Sequence, residues 1–177
     1  MGIPSRYMGK TLDNLIGMDG EKNLCKEAIL NNKSVFVAGG CGSGKTHMAI
    51  GLLIEWFKKY APHKTSMDFP VFLPSVEFFL ELKNTFGSDD SERMILDKYT
   101  KPTLLCIDDV GAEKISDWSR QMFYVLIDRR YRDEKQTIIT SNLALGRFSE
   151  LIDDRIASRI AGMGEVVYLN AEDYRLK

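Results

Sequence analysis

Cysteine, histidine and proline are scarce in this sequence, with three, two and five residues among 177. Cys25, Cys41 and Cys106 lie far apart and match no zinc-ligand spacing. That excludes a metal-stapled or disulfide-framed domain and reads as reduced thiols of a cytoplasmic protein. No apolar run approaches the roughly 20 residues that cross a bilayer, so no membrane partner is expected. The opening stretch MGIPSRY has no apolar signal-peptide core, and Arg6 stands where a myristoylation pattern wants Ser or Thr. Neither sign of charge is in excess: 24 basic and 25 acidic residues leave a net charge of −1. A global basic field for nucleic acid is therefore absent, and any DNA contact needs a local patch. No internal repeat or low-complexity tract is present. What remains, 44% hydrophobic and 28% charged residues, is ordinary for one soluble domain with a real core.

Strand and helix patterns alternate along the chain. Residues 1–19 read as irregular. Asp19 is placed to cap a helix whose apolar stripe is Leu24, Cys25, Ala28 and Ile29. Ser34–Ala38 reads as a buried strand. Met48, Ala49, Leu52, Leu53, Trp56 and Phe57 then recur with helical period, and Pro62 closes that helix. Phe69–Leu73 is a short strand limited by Pro70. Ser75–Phe86 reads as a helix with Val76, Phe79, Leu80 and Phe86 inward, followed by a turn at 87–90 and a helix to about Tyr99. Thr103–Ile107 is the clearest buried strand. Asp117 to about Glu134 is the longest helix, with Trp118, Met122, Val125 and Leu126 inside. Thr137–Ser141 is a strand, Asp153–Met163 a helix and Glu165–Leu169 a final strand. The alternation predicts an α/β domain with a parallel sheet covered on both faces.

Gly39-Gly40-Cys41-Gly42-Ser43-Gly44-Lys45-Thr46 fits G-x-x-x-x-G-K-[ST] between a predicted strand and a predicted helix. A chance match in a chain this long has a probability on the order of one per cent, before the strand and helix are required. Glycines let the backbone N–H groups converge on phosphate oxygens, and the following helix adds its positive end. Lys45 is expected on the β- and γ-phosphates, and Thr46 on Mg²⁺. His47 closes the nucleotide-contacting stretch. The side chains of Cys41 and His47 read as bystanders, because neither occupies a position with a phosphate role.

Asp108 and Asp109 stand at the carboxyl end of the most apolar strand, the edge where open α/β sheets bind ligands. Adjacent carboxylates there repel unless a cation is present. Beside a phosphate loop, Asp108 is expected to hold Mg²⁺ and Asp109 to orient or deprotonate the attacking water. Without the loop they would read as solvated turn residues. Asn142, at the next strand end, can hydrogen-bond a γ-phosphate or water, or serve as a turn residue. Arg155 and Arg159 share a helix face at i and i+4, where like charges destabilise each other unless something anionic satisfies them. Asp153 and Asp154 are expected to offset that only in part, through the helix dipole. The arginines read either as a solvated basic face or as a contact to the phosphate of a neighbouring subunit.

Together these features resemble the AAA+ ATPases, and more narrowly the DnaC-type helicase loaders and the IstB-type transposition helpers. The resemblance rests on GIPSRY…TLDNL, GGCGSGKTHMA, LLCIDDVGAEK, SDWSRQMFYVLIDRRY, TIITSNL, DDRIASRIAGM and EDYRLK, and covers nearly the whole chain. It implies that Lys45 and Thr46 are Walker A, Asp108 and Asp109 Walker B, Asn142 sensor 1 and Arg159 the arginine finger. Arg155 is then its partner or a second contact in trans. It implies a P-loop three-layer sandwich whose five-stranded parallel sheet places the sensor strand between the Walker strands. The expected organisation is a linker segment at 1–19 packing on the core and an AAA+ ATP-binding domain at 20–177. The helicase-binding N-terminal domain usual in loaders is expected to be absent, as is a C-terminal lid. Arg175 is therefore not assigned as sensor 2. The Asp-Asp pair, one methylene shorter than Asp-Glu, fits slow, switch-like hydrolysis.

The function implied is ATP binding and hydrolysis by a loader acting in DNA replication, with ATP and Mg²⁺ as cofactors. Its partners would be a replicative hexameric helicase, single-stranded DNA and, when ATP is bound, further copies of itself. The alternative is a helper that assembles on target DNA and assists a transposase. A small-molecule kinase would need a mobile arginine-rich lid; the arginines cluster instead at 128–132 and 155–159. For single-stranded DNA, the candidate paths are Lys58, Lys59, His63 and Lys64, or the Phe78–Phe86 helix with Lys83.

Overall fold

The computed structural model describes residues 2–60, 69–85, 89–111 and 116–170, with the side chains of 89–90 left aside. Pro62, His63, Lys64, Phe86, Arg175 and most of the expected 87–90 turn lie outside these residues; Asp89 and Asp90 are already helical. The helices are α1 Asp19–Leu30, α2 Lys45–Tyr60, α3 Ser75–Asn84, α4 Asp89–Thr100, α5 Asp117–Arg132, α6 Leu145–Leu151 and α7 Asp154–Met163. The strands are β1 Ser34–Gly39, β2 Val71–Pro74, β3 Leu104–Val110, β4 Gln136–Ser141 and β5 Gly164–Leu169. All five are parallel, in the order β2-β3-β4-β1-β5. The strand carrying Asn142 at its end therefore lies between the glycine-loop strand and the Asp108 strand, as the resemblance implies. Among the described residues no helical unit follows β5, and no helix is long and apolar enough to cross a membrane.

Two apolar layers sandwich the sheet. One joins α1 and α2 to Val35, Val37, Cys106 and Ile138, and includes Leu12 and Leu15 from the N-terminal segment. The other joins α3 to α7 to Phe36, Ile107 and Ile139. Leu12 and Leu15 are each only 6% exposed, so residues before α1 are anchored by burial rather than by regular structure. The tight fit is visible at Gly51 on α2, where a Cβ would stand 2.8 Å from the Leu12 nitrogen.

Several faces depart from the sequence pattern. On α3, Phe78 and Leu82 are buried while Val76 and Leu80 are exposed, because this helix meets α4, α5 and the sheet through the other side. On α5 the buried positions are Phe123, Leu126, Ile127 and Arg130; Trp118, Met122 and Val125 are half-buried. Leu24 on α1 is partly in solvent. Asp19 begins α1 rather than capping it: Met18 is the cap residue, with φ +58° and no side-chain cap bond. Helix α6 has no counterpart in the sequence reading, since a seven-residue helix with one buried side chain leaves little period to detect.

Arg130 is fully buried and ties the second layer together. Its guanidinium donates to Thr137 Oγ1 at 2.9 Å and to the carbonyls of Tyr99, Thr100, Pro102 and Gln136. Those acceptors end α4, lead into β3 and begin β4. Burial pushes the Arg130 pKa down to about 9, so it still carries its charge at neutral pH. The neighbouring Gln136 amide donates to the carbonyls of Ile29 and Lys33 and accepts from the Trp56 indole at 2.8 Å. Replacing Arg130 by Met keeps volume but strands buried carbonyls. Urea unfolding of Arg130→Met should show a loss of about 3 kcal/mol or more; a loss below about 1 kcal/mol would show that these oxygens find other donors.

Candidate functional site

The loop from β1 to α2 folds back on itself because its glycines take shapes other residues resist. At Gly39 a Cβ would meet Ser43 Oγ at 2.7 Å and the Leu169 carbonyl at 2.8 Å. Gly44, just before α2, has φ +94°. The loop wraps a cavity of about 500 Å³, large enough for a nucleotide-sized ligand. Cys41, Gly42, Ser43, Gly44, Lys45, Thr46 and His47 line it, facing Asp108, Asp109 and Asn142. Gly39 and Gly40 enter through their carbonyls, which accept from the Lys45 ammonium at 2.9 and 2.8 Å. Ser43 Oγ is buried with no hydrogen-bond partner among the described residues, an orphaned donor inside the loop.

Two lines of contact join the three central strands. In the first, Lys45 Nζ donates to Asn142 Oδ1 at 2.7 Å and Asn142 Nδ2 donates to Asp109 Oδ1 at 2.9 Å. In the second, Thr46 Oγ1 lies 3.0 Å from both oxygens of Asp108, and Thr140 Oγ1 donates to Asp108 Oδ1 at 2.6 Å. Asp108 is 8% exposed. Burial raises its pKa; the hydroxyls of Thr140 and Thr46 oppose the rise. Asp109, its neighbour, is exposed to the cavity. The predicted loop, carboxylate and Asn142 residues therefore meet in one place.

Arg155 and Arg159 do not line this cavity. Their guanidinium groups lie 4.4 and 4.7 Å from the ring centroid of Tyr124 on α5. Arg155 is held by both oxygens of Asp153, at 3.0 and 2.7 Å. Arg159 donates to Asp128 at 2.7 Å and to the Tyr124 hydroxyl at 2.7 Å. Of the two carboxylates at the helix start, Asp153 turns back as the α7 cap and holds Arg155 alone; the carboxylate for Arg159, Asp128, arrives from a different helix, which spacing alone does not show. Arg155 keeps a side chain 58% exposed, against 25% for Arg159.

The far wall of the cavity comes from the irregular N-terminal segment: Arg6, Tyr7, Lys10, Asn14, Ile16 and Met18. Only the GIPSRY…TLDNL resemblance marks it in the sequence. His47 joins this wall to α2, its Nε2 lying 2.9 Å from the Thr11 carbonyl and 2.7 Å from Asn14 Oδ1. Both are acceptors, so Nε2 carries the hydrogen. Of the single-strand path residues, Phe78 is core, Lys58 pairs with Glu55 and Lys59 donates to the Leu30 carbonyl; Lys83 is exposed.

Residues 23–177 match the family model described as IstB-like ATP binding protein. The chain belongs to this family. It is an ATP-binding AAA+ P-loop group that takes in both insertion-sequence proteins and DnaC. A protein of insertion sequence IS232 from Bacillus thuringiensis subsp. berliner is 30% identical over 150 residues, 82% of this chain and 56% of that protein. The replicative helicase loader DnaC of Escherichia coli strain K12 is 25% identical over 147 residues, 82% of this chain and 57% of DnaC. The chain thus spans a little over half the length of these two relatives. The crystal structure of the DnaC helicase loader superposes with a TM-score of 0.78 at 23% identity, over 94% of this chain and all of that one. DnaI gives 0.78 at 19% identity, over 98% of this chain and 94% of its own. The shared fold is the AAA+ P-loop sandwich with five parallel strands.

Burial lowers the His47 pKa below 6.5, so the folded protein prefers the neutral ring while the unfolded chain takes up a proton more readily. Stability should therefore rise with pH through the window below about 6.5. Thermal melts between about pH 5 and pH 7 should show this slope, and His47→Gln, which keeps a donor, should remove much of it. An unchanged slope in the variant would assign the effect elsewhere.

Proposed function

We propose that this chain binds ATP in the loop cavity, hydrolyses it slowly, and acts as a DnaC-like helicase loader in DNA replication, in the cytoplasm. The observation that carries the nucleotide reading is the paired line of contacts from Lys45 and Thr46 to Asn142, Asp109 and Asp108. Phosphate oxygens would replace the loop carbonyls and Asn142 as acceptors for Lys45. The orphaned Ser43 hydroxyl adds a donor in the same cradle. The base and ribose would lie toward Tyr7, Ile16 and Met18.

Thr46 and Asp108 are hard oxygen donors suited to Mg²⁺. No group of three or more His, Cys, Asp or Glu able to hold a metal occurs among the described residues, so nucleotide phosphates would complete the shell. Bound there, the ion would supply positive charge against the nucleotide's phosphates. Asp109 orients the attacking water and accepts its proton, while Asn142 fixes the carboxylate. A short carboxylate tied to Asn142 favours turnover well below the roughly 10 per second typical of enzymes. Arg155 and Arg159, outside their own cavity, act on the phosphate of an adjoining copy, so ATP binding favours a homo-oligomer.

The 25% identity to the replicative helicase loader DnaC, over 82% of this chain and 57% of DnaC, supports the loader reading, with a hexameric replicative helicase and single-stranded DNA as partners. The family model and the IS232 protein support a second reading, a helper that assembles on target DNA and assists a transposase. Pull-down with the cognate hexameric helicase, beside DNA co-sedimentation and transposase activation, separates them: capture of the helicase supports the first, and transposase stimulation without capture the second.

Lys45→Ala should weaken binding of a fluorescent ATP analogue by roughly a hundredfold, since it removes a charge-assisted phosphate contact; intact binding places the nucleotide elsewhere. Arg155→Ala and Arg159→Ala should each leave analogue binding within about twofold while cutting concentration-dependent ATP turnover by roughly tenfold or more. Turnover equal to that of the unaltered protein would remove both from the site.

A further inference from the structure

The pairing of β3 with β4 carries an irregularity at the proposed site. Ile107 lies opposite Ile139 and Val110 opposite Ser141. Asp108 and Asp109 together thus span the single position Thr140, as in a β-bulge. The bulge turns Asp109 to φ +60°, a left-handed conformation rare outside glycine, though Asp and Asn tolerate it best. The consequence is that both carboxylates line the same cavity, Asp108 buried and Asp109, one residue on, exposed. A regular strand places neighbours on opposite faces and would send one carboxylate away from the site.

A bulge also removes a ladder partner from the backbone, and here one side chain supplies it. Thr140 Oγ1 accepts from the Asp109 N–H at 2.8 Å and donates its single hydrogen to Asp108 Oδ1 at 2.6 Å. Thr140 is fully buried, so no water replaces either bond. The rest of Asp109 is held from other sides: its carbonyl accepts from Ser75 Oγ at 3.0 Å, and its carboxylate from Asn142.

Resting on the nucleotide reading above, we propose that Thr140 is a positioning residue that holds both carboxylates in their working directions. Its hydroxyl acts on Asp108 through the side chain and on Asp109 through the backbone. Valine has the same shape and offers neither bond. Without the hydroxyl, Asp109 relaxes from the left-handed region and Asp108 loses the donor that opposes Thr46 across the carboxylate. A cation shared by Thr46, Asp108 and the phosphates is then held more weakly, and the water at Asp109 is misaimed. The loop contacts of the nucleotide are untouched.

The experiment compares the unaltered protein with Thr140→Val and Thr140→Ser. Binding of a fluorescent ATP analogue without divalent ion should stay within about twofold in all of them. The Mg²⁺ concentration that half-saturates the analogue's signal should rise roughly tenfold or more in Thr140→Val, and kcat should fall by a similar factor with KM little changed. Thr140→Ser keeps donor and acceptor and should restore both within about threefold; a role confined to packing the methyl group predicts the reverse order. If Thr140→Val does not fold, Thr140→Cys, with its weak donor, should show an intermediate loss. Mg²⁺ dependence and kcat that are unaltered in Thr140→Val overturn the assignment while leaving the nucleotide reading intact. Failure of the unaltered protein to bind the analogue overturns both.

Discussion

Asp108 carries a carboxyl group into the buried edge of a parallel sheet, and the neighbouring elements are arranged around that constraint. No basic side chain meets it as a salt-bridge partner among the described residues; two threonine hydroxyls do. Hydroxyls satisfy lone pairs without cancelling charge, so the carboxyl remains costly to ionise in the protein alone. A basic partner would cancel the charge and leave nothing for a cation to do. The arrangement is stable enough to form and leaves the carboxylate able to take a cation, which suits the nucleotide and Mg²⁺ proposed for this site. The strand order supports it: β4 must sit between β1 and β3 for Thr140 and Asn142 to reach carboxylates on one side and the lysine on the other.

Much of the fold was legible because its signals are local. The glycine loop needs positive φ and close backbone approach, so its composition betrays its shape. The central strands are short apolar runs, and α2 has a broad apolar face. Faces set by more than one neighbour were less legible: α3 meets the sheet and two helices, and its buried side is Phe78 and Leu82 rather than Val76 and Leu80. Within the site, Lys45 and Thr46 could be named from the loop's spacing and Asp108 from its strand end beside that loop, while Asn142 stayed open between site and turn until the resemblance gave it a role. Thr140 could not. In a strand of β-branched residues a threonine looks like any other sheet former, and only the bulge opposite it gives the hydroxyl work. Asp128 and Tyr124 were hidden for the same reason, since their contacts to Arg159 span more than 30 residues.

The N-terminal segment shows how irregular chain can be structural. It forms no strand and no α-helix, yet it closes one wall of the cavity. Leu12 and Leu15 fix it to α2, and a Gly44 Cβ would stand 3.1 Å from Leu15. The loop glycine therefore serves the backbone turn and the fit of this wall at once. His47 adds a polar link on the same helix. A nucleotide filling the cavity would touch the wall and the loop together, so movement of either is coupled to occupancy.

The arginines complete the logic from outside the cavity. Two like charges on one face of α7 are tolerated because each has a carboxylate and both lie against one aromatic ring. The two anchors differ. Arg159 spends its Nε and one terminal nitrogen on α5 and its other terminal nitrogen on the Arg155 carbonyl, whereas Arg155 is gripped along one edge by Asp153 and stays largely exposed. A guanidinium has five N–H donors, so each keeps some for an external anion, and Arg155 presents more of its surface. Held this way, the pair behaves as a fork mounted on the α5–α7 contact instead of two flexible side chains. In the proposed homo-oligomer, less side-chain entropy would then be lost when the pair engages a phosphate of a neighbouring copy's nucleotide.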